Sequence, residues 1–305
     1  MAGEHSHSHV DAGILTSERG IQALKVSIVG LLLTALFQAG IAIVGGSAGL
    51  LADTLHNFAD IFTAIPLWIA FTLQRREANR RYTYGYNRAE DVAGAVIVLM
   101  ILFTAGIAAY QSYVKLVSES VPRLLGWGMA AGIVGFVGNE IVAQYRIKVG
   151  EEIGSAALVA DGQHARVDGL TSLAAFLGLL GVRLGFPAAD PMAGFVITAG
   201  ILWIILDVGR DILGRLMDAI EPETVGRIER CAASIDGVAG VHDIRARWLG
   251  HKLTCELHID VDGHITVIKG HDIAEEVRHA LLHEFERLND VIVHVDPLDR
   301  RKSVY

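Results

Sequence analysis

Two stretches of the chain carry one pattern, Ala-Asp-x-x-His-x-x-x-Asp, as Asp53, His56 and Asp60 and again as Asp161, His164 and Asp168. On a helix, steps of three and four residues put Asp, His and Asp on one face. Each copy therefore offers an imidazole and a carboxylate one turn apart. Two such helices packed face to face would present two nitrogens and two oxygens around one point, a donor set that suits a tetrahedral divalent ion such as zinc. Both copies lie in or beside apolar stretches long enough to cross a bilayer, where an ionisable side chain is costly and marks a functional site. His56, Asp60, His164 and Asp168 are the expected metal ligands of a transport site. Asp53 and Asp161, one turn earlier, are expected to be accessory residues that hydrate or orient them.

The elements that must position these residues are helices in a membrane. The chain has 305 residues, 52% of them hydrophobic, and a mean hydropathy of +0.41. Val26 to Ala52 and Val92 to Val114 contain no charged residue, and each exceeds the roughly 20 residues that span the hydrocarbon core. Admitting flanking polar residues gives six expected spans, about 21 to 45, 53 to 74, 90 to 114, 124 to 145, 154 to 182 and 190 to 213. An even number puts both termini on one side. Arg75, Arg76, Arg80, Arg81 and Arg88 lie between the second and third spans, and Arg146 and Lys148 between the fourth and fifth. The positive-inside rule then places both termini in the cytoplasm. The residues before Ile21 lack the apolar core of a cleavable signal. Asn139 and Glu140 are polar within the fourth span and line a cavity or lie at the headgroups.

Composition shifts at Glu221-Pro222 to a charged, His-rich region. Pro222 and Glu223 form a good helix start. Strands are expected around Val241 to Trp248 and Leu253 to Val261, the second alternating Leu253, Cys255, Leu257, Ile259, Val261 in period two. Leu249-Gly250-His251-Lys252 reads as their turn. A helix from about Thr266 to Leu288 buries Ile273, Val277, Leu281 and Phe285, and Val291 to Val295 is a last strand. The expected organisation is thus a tail over 1–20, a six-helix transmembrane domain over 21–220 and a cytosolic α+β domain over 221–305. The tail holds His5, His7 and His9, an alternating tract that can collect metal. Cys231 and Cys255 have no CxxC spacing and read as idle thiols. A formal net charge of −8 argues against nucleic acid as a partner.

With these motifs in hand, the chain resembles the cation diffusion facilitator family of divalent-metal/proton antiporters over almost its whole length. The resemblance implies that His56, Asp60, His164 and Asp168 ligate the transported ion, and the two-His, two-Asp set is similar to the zinc-transporting branch. It implies a metallochaperone-like, ferredoxin-like cytosolic domain. There His242-Asp243, His258, His271 and the run Val291 to Pro297, with His294 and Asp296, match cytosolic metal ligands, so His242, His258, His271, His294 and Asp296 are the expected regulatory site. It also implies a homodimer with a charge interlock between Arg88 and Asp218. Tyr82 and Tyr86 stand where relatives often carry histidines, so the loop metal site of those relatives is not expected. His251, His264, His279 and His283 match nothing in the family and read as solvated.

The reading that follows is efflux of Zn2+ from the cytoplasm through a bacterial cytoplasmic membrane by proton-coupled alternating access. Zinc is then substrate and regulatory ligand, and protons are the counter-ion. Metal binds neutral His and ionised Asp, so loading releases protons. An imidazole with an ordinary pKa of about 6.5 exchanges metal for proton in the physiological range. Co2+, Fe2+, Cd2+ or Ni2+ could use the same four ligands. A non-transporting membrane sensor or scaffold is the alternative from another class. An enzyme is not expected: a hydrolytic zinc site needs an open position and a general base, and no HExxH occurs.

Overall fold

The computed structural model describes residues 6–45, 64–118, 125–186 and 188–298. The chain divides into two compact units, Asp11–Leu213, and Gly214–Tyr305 with Met1–Val10. The first is helical: α1 (Ser6–Gly45), α2 (Ile65–Gln74), α3 (Arg88–Ser118), α4 (Leu125–Ile153), α5 (Ala156–Arg183) and α6 (Ala189–Leu216). Five segments of these helices, Leu15–Val44, Arg88–Val114, Gly126–Ile153, Ala156–Arg183 and Ala189–Leu216, are long and apolar enough to cross a membrane. At about 1.5 Å per residue, a 28-residue helix reaches about 42 Å, more than the ~30 Å hydrocarbon core. The first half of the second expected span lies outside the described residues, and its second half holds the ten-residue α2. Helix α1 starts at Ser6, earlier than the expected span, because no proline interrupts the polar residues before Ile21. Phe37, Phe103 and Trp203 are among many large apolar side chains exposed along these helices, a surface that lipid satisfies and water does not.

Helices α4 and α5 form a tight hairpin. Gly154 turns the chain at a φ of +74°, a left-handed conformation that glycine adopts without strain. Ser155 then caps α5, its hydroxyl accepting from the Leu158 amide at 3.0 Å. The two helices approach closely because glycines face the partner. A Cβ on Gly132 would lie 2.9 Å from the Ser172 carbonyl oxygen, and one on Gly162 2.9 Å from the Ile147 nitrogen. Such small-residue contacts substitute for the hydrophobic effect between helices in lipid.

Close approach also brings charges together across the hairpin. Arg146 Nη1 meets Asp161 Oδ2 at 3.0 Å, with side chains 1% and 0% exposed. One turn along α5, Arg166 grips Glu140 through two hydrogen bonds of 3.2 and 3.0 Å. Two neighbouring residues of α1 pair with the ends of other helices: Arg19 with Glu152 of α4, and Glu18 with Arg75 after α2 at 3.2 Å.

In the second unit, α7 (Pro222–Ala233) precedes β1 (Gly240–Leu249), β2 (Lys252–Val261), α8 (Val267–Glu284) and β3 (Leu288–Pro297). The sheet order is β1-β2-β3. β1 and β2 are antiparallel, and β3 returns parallel to β2 after the α8 crossover. Helix α8 is capped by Thr266, which accepts from the Lys269 amide at 3.2 Å. It ends at Glu284, four residues before the expected end, since Phe285 is already extended and Leu288 opens β3 as a buried residue. Alternation along β2 turns Leu253, Cys255, Leu257 and Ile259 into a core with Ile228 of α7 and Ile273, Val277 and Leu281 of α8. The even-numbered side chains of β2 point to the opposite face. His251, expected in solvent, is buried in the β1-β2 turn, whereas His264 is exposed and bonded to Asp262.

Two outcomes are expected from this packing. Arg146→Met leaves the buried Asp161 without its partner and should cost about 3 kcal/mol or more, read as a lower midpoint of thermal unfolding in detergent, with Arg146→Met/Asp161→Leu recovering most of the loss. Burial pushes the Cys255 thiol from 9.0 up to about 12, with the nearby Glu256 charge adding to it. The protonated thiol therefore favours the folded domain fully below pH 9, and this contribution fades as pH rises from about 9 to about 12. Unfolding monitored against pH should weaken over that window in the parent and less in Cys255→Ala, and Cys255 should resist alkylation at neutral pH until the domain is unfolded.

Candidate metal sites

The apolar alternation of β2 leaves His258 and Asp260 on the face away from the helices, and the sheet register supplies their neighbours. His258 pairs with His242 on β1 and with His294 on β3, and Asp260 pairs with Asp296. Three imidazoles therefore stand in a row across three strands, with ring centroids 5.2 and 4.5 Å apart. Asp296 lies among them. One of its oxygens is 2.8 Å from His258 Nδ1 and 3.6 Å from His242 Nε2, and the other is 3.3 Å from His294 Nε2. Asp243, at a φ of +48° where the β1 register shifts, brings a further carboxylate 3.2 Å from His242 Nδ1.

Donor atoms of His242, Asp243 and His258, and of His258, His294 and Asp296, each lie within 4.8 Å of one another. Two overlapping donor sets thus share His258. The His258 hydrogen bond holds the Asp296 carboxyl below the ordinary carboxylate range, and the neighbouring His294, His258 and His242 charges reinforce it against partial burial. An ionised carboxylate among imidazoles is a ready-made environment for a divalent cation.

His271 stands exposed on α8, outside both donor sets. Asp260 had no place among the expected ligands, yet it is buried with an oxygen 3.4 Å from His242 Nε2. Its signal was present in the sequence: His258-Ile259-Asp260 and His294-Val295-Asp296 are two His-x-Asp triplets, and parallel pairing sets them in register.

In the helical unit, His164 and Asp168 fall on one face of α5, Nε2 to Oδ2 3.9 Å apart, with side chains 2% and 10% exposed. Asp161, one turn before, is the acid paired to Arg146, a partner that spacing along one helix could not reveal. His56, Asp60 and Asp53 lie outside the described residues, as does His5. His7 and His9 fall within α1. Asn139 is buried, donates to the Gly135 carbonyl at 3.1 Å and packs beside Gly169, next to Asp168. Arg88 pairs with Asp91 at 3.9 Å, and Asp218 with Arg247 at 3.5 Å. Between α2 and α3, the Tyr82 and Tyr86 rings pack 4.7 Å apart.

Comparison with known proteins matches the chain in two consecutive parts. Residues 24–217 match the family model described as the cation efflux transmembrane domain, and residues 220–298 the one described as the cation efflux protein, cytoplasmic domain. A probable cation efflux system protein of Mycobacterium tuberculosis is 45% identical over 98% of this chain and 91% of its own length. The manganese efflux system protein MneP of Bacillus subtilis is 27% identical over 93% of this chain and 99% of its own. The magnetosome protein MamB of Magnetospirillum gryphiswaldense is 26% identical over 86% of this chain and 89% of its own. Among solved structures, a MamM CTD variant is 32% identical over 25% of this chain and 93% of its own, with a TM-score of 0.24. A helical unit of membrane-length helices, a small α+β unit carrying metal-type donors, and these two matches along nearly all of the sequence make the chain a multi-pass membrane protein of the cation diffusion facilitator family, whose members are transporters that carry metal cations out.

Proposed function

We propose that this chain exports Zn2+ from the cytoplasm in exchange for protons, as a homodimer in a bacterial cytoplasmic membrane. The observation that carries the reading is the buried His164-Asp168 pair on a membrane-length helix, together with the same spacing at His56 and Asp60. Four ligands from the two copies form the transport site. Two imidazoles favour zinc over manganese, whose harder chemistry suits oxygen donors, although one relative is named for manganese efflux. Two carboxylates would cancel the charge of a 2+ ion, which makes the loaded site tolerable in a low-dielectric interior. Protons arriving from the far side then compete with the ion for the imidazoles and release it.

Asp161, held by Arg146, orients the α5 ligands, and Asp53 serves the same purpose on the other copy. Residues 21–220 are the transmembrane domain and 221–305 the cytosolic one, with both termini inside, in line with the cytoplasmic description of the matching family model. His242, His258, His271, His294 and Asp296 bind regulatory metal and bias the transport cycle by drawing two protomers together. His271 would join from α8 when the metal and the second protomer are present. Arg88 and Asp218 supply the charge interlock of the assembled dimer.

In proteoliposomes with an imposed pH gradient, zinc flux should follow the gradient and exceed manganese flux. His164→Ala, Asp168→Ala, His56→Ala or Asp60→Ala should each reduce it to background while the protein still assembles. Wild-type flux in these variants would remove the residues from the site, manganese preference would overturn the metal assignment, and saturable binding without flux would favour a sensor. For the cytosolic site, a variant lacking His242, His258, His271 and His294 should lose the dependence of flux on cytosolic zinc. Unchanged zinc dependence would refute the regulatory role.

A further inference from the structure

We infer that His279 and His283 form a separate metal-binding site on the outer face of α8, taking a divalent transition cation between their two Nε2 atoms. Ile273, Val277 and Leu281 seat α8 on the sheet. His279 and His283 each follow a seated residue by two positions, about 200° around the helix, and both are exposed. The His242-His258-His294 row occupies the other face of the same sheet, so the two places are chemically independent.

The geometry is that of a chelate. The two Nε2 atoms face each other at 3.1 Å, with ring centroids 4.3 Å apart. An ion about 2.0–2.1 Å from each nitrogen would subtend about 100° between them, between the about 90° of octahedral and about 109° of tetrahedral coordination. Spacing of four residues on a helix is what brings the rings together. Glu276 lies on the same stripe, one turn before His279. The neighbouring cation Arg278 is engaged by Glu275 at 3.2 Å. Two protein ligands leave the remaining positions to water or to donors from another molecule. Such a site binds more weakly than a closed one and exchanges readily, as suits capture of a hydrated ion rather than structural storage.

The proposal stands apart from the transport reading, because equilibrium binding needs no flux. The test is residue-resolved carbethoxylation of the full-length protein in detergent, with and without Zn2+ alone, read by peptide mass mapping. Zinc should slow modification of His279 and His283 together by about tenfold, since a ring nitrogen holding metal is no longer free to react. In His283→Ala, protection of His279 should be lost, and in His279→Ala that of His283. Equal labelling with and without zinc would overturn the site and leave only a proton shared between the rings. Protection of one ring surviving loss of the other would overturn chelation. An unchanged circular dichroism spectrum and unfolding midpoint in both variants would show that the domain is folded.

Discussion

A charge taken out of water must be answered by another charge, and in the helical unit that requirement falls on the α4-α5 hairpin. Arg146-Asp161 and Arg166-Glu140 both cross it, and the His164-Asp168 pair lies between and beyond them on α5. Replacing water around a guanidinium and a carboxylate costs several kcal/mol per ion, recovered only when the two are held in contact. Contact is possible because glycines let the helices approach until backbone meets side chain. The short turn at Gly154 and Ser155 fixes how far one helix can slide along the other. The position of His164 therefore depends on residues with no metal chemistry of their own.

The small α+β unit meets a different constraint. A strand period of two, with one face packed on helices, forces the alternate residues of β2 outward whatever they are. Donors then converge through register alone. His242, His258 and His294 are far apart in sequence but adjacent in the sheet, and α8 sets the parallel return that aligns the two His-x-Asp triplets. A slip of one residue in either pairing would send a histidine into the core and an apolar side chain to the metal face. The same buried core that stabilises the unit thus fixes the spacing of the donors.

Much of this was legible in the sequence because periodicity reports local structure. The apolar runs marked the long helices, the alternation from Leu253 to Val261 marked β2, and the order helix, strand, strand, helix, strand followed from composition. What escaped was set by neighbours in space. Nothing along α5 says that Asp161 faces Arg146 rather than a cavity, since the partner comes from another helix. Asp260 escaped because a lone acid in a strand reads as solvent-facing until the parallel register is known. The spacing of four runs α8 on through Phe285, although the backbone there has already left the helix. His251 looked like a turn residue in water, and the turn buries it.

The two donor environments differ in how far they are open to water. His164 and Asp168 are almost wholly buried, so an ion there must shed its water and have its charge balanced by the carboxylates, and proton arrival changes the balance sharply. On the proposed reading this is what a transport site requires: strong coupling between metal and proton, with release driven by protonation. The His242-His258-His294 row is partly open, His294 is exposed, and the His258 hydrogen bond holds the Asp296 carboxyl below its ordinary range. An ion can enter and leave there without a large change in the surrounding dielectric, and since imidazoles bind it only when neutral, occupancy follows both free metal concentration and pH. On the proposed reading, one chain then holds a site that converts a proton gradient into metal movement and another that reports how much metal remains to be moved.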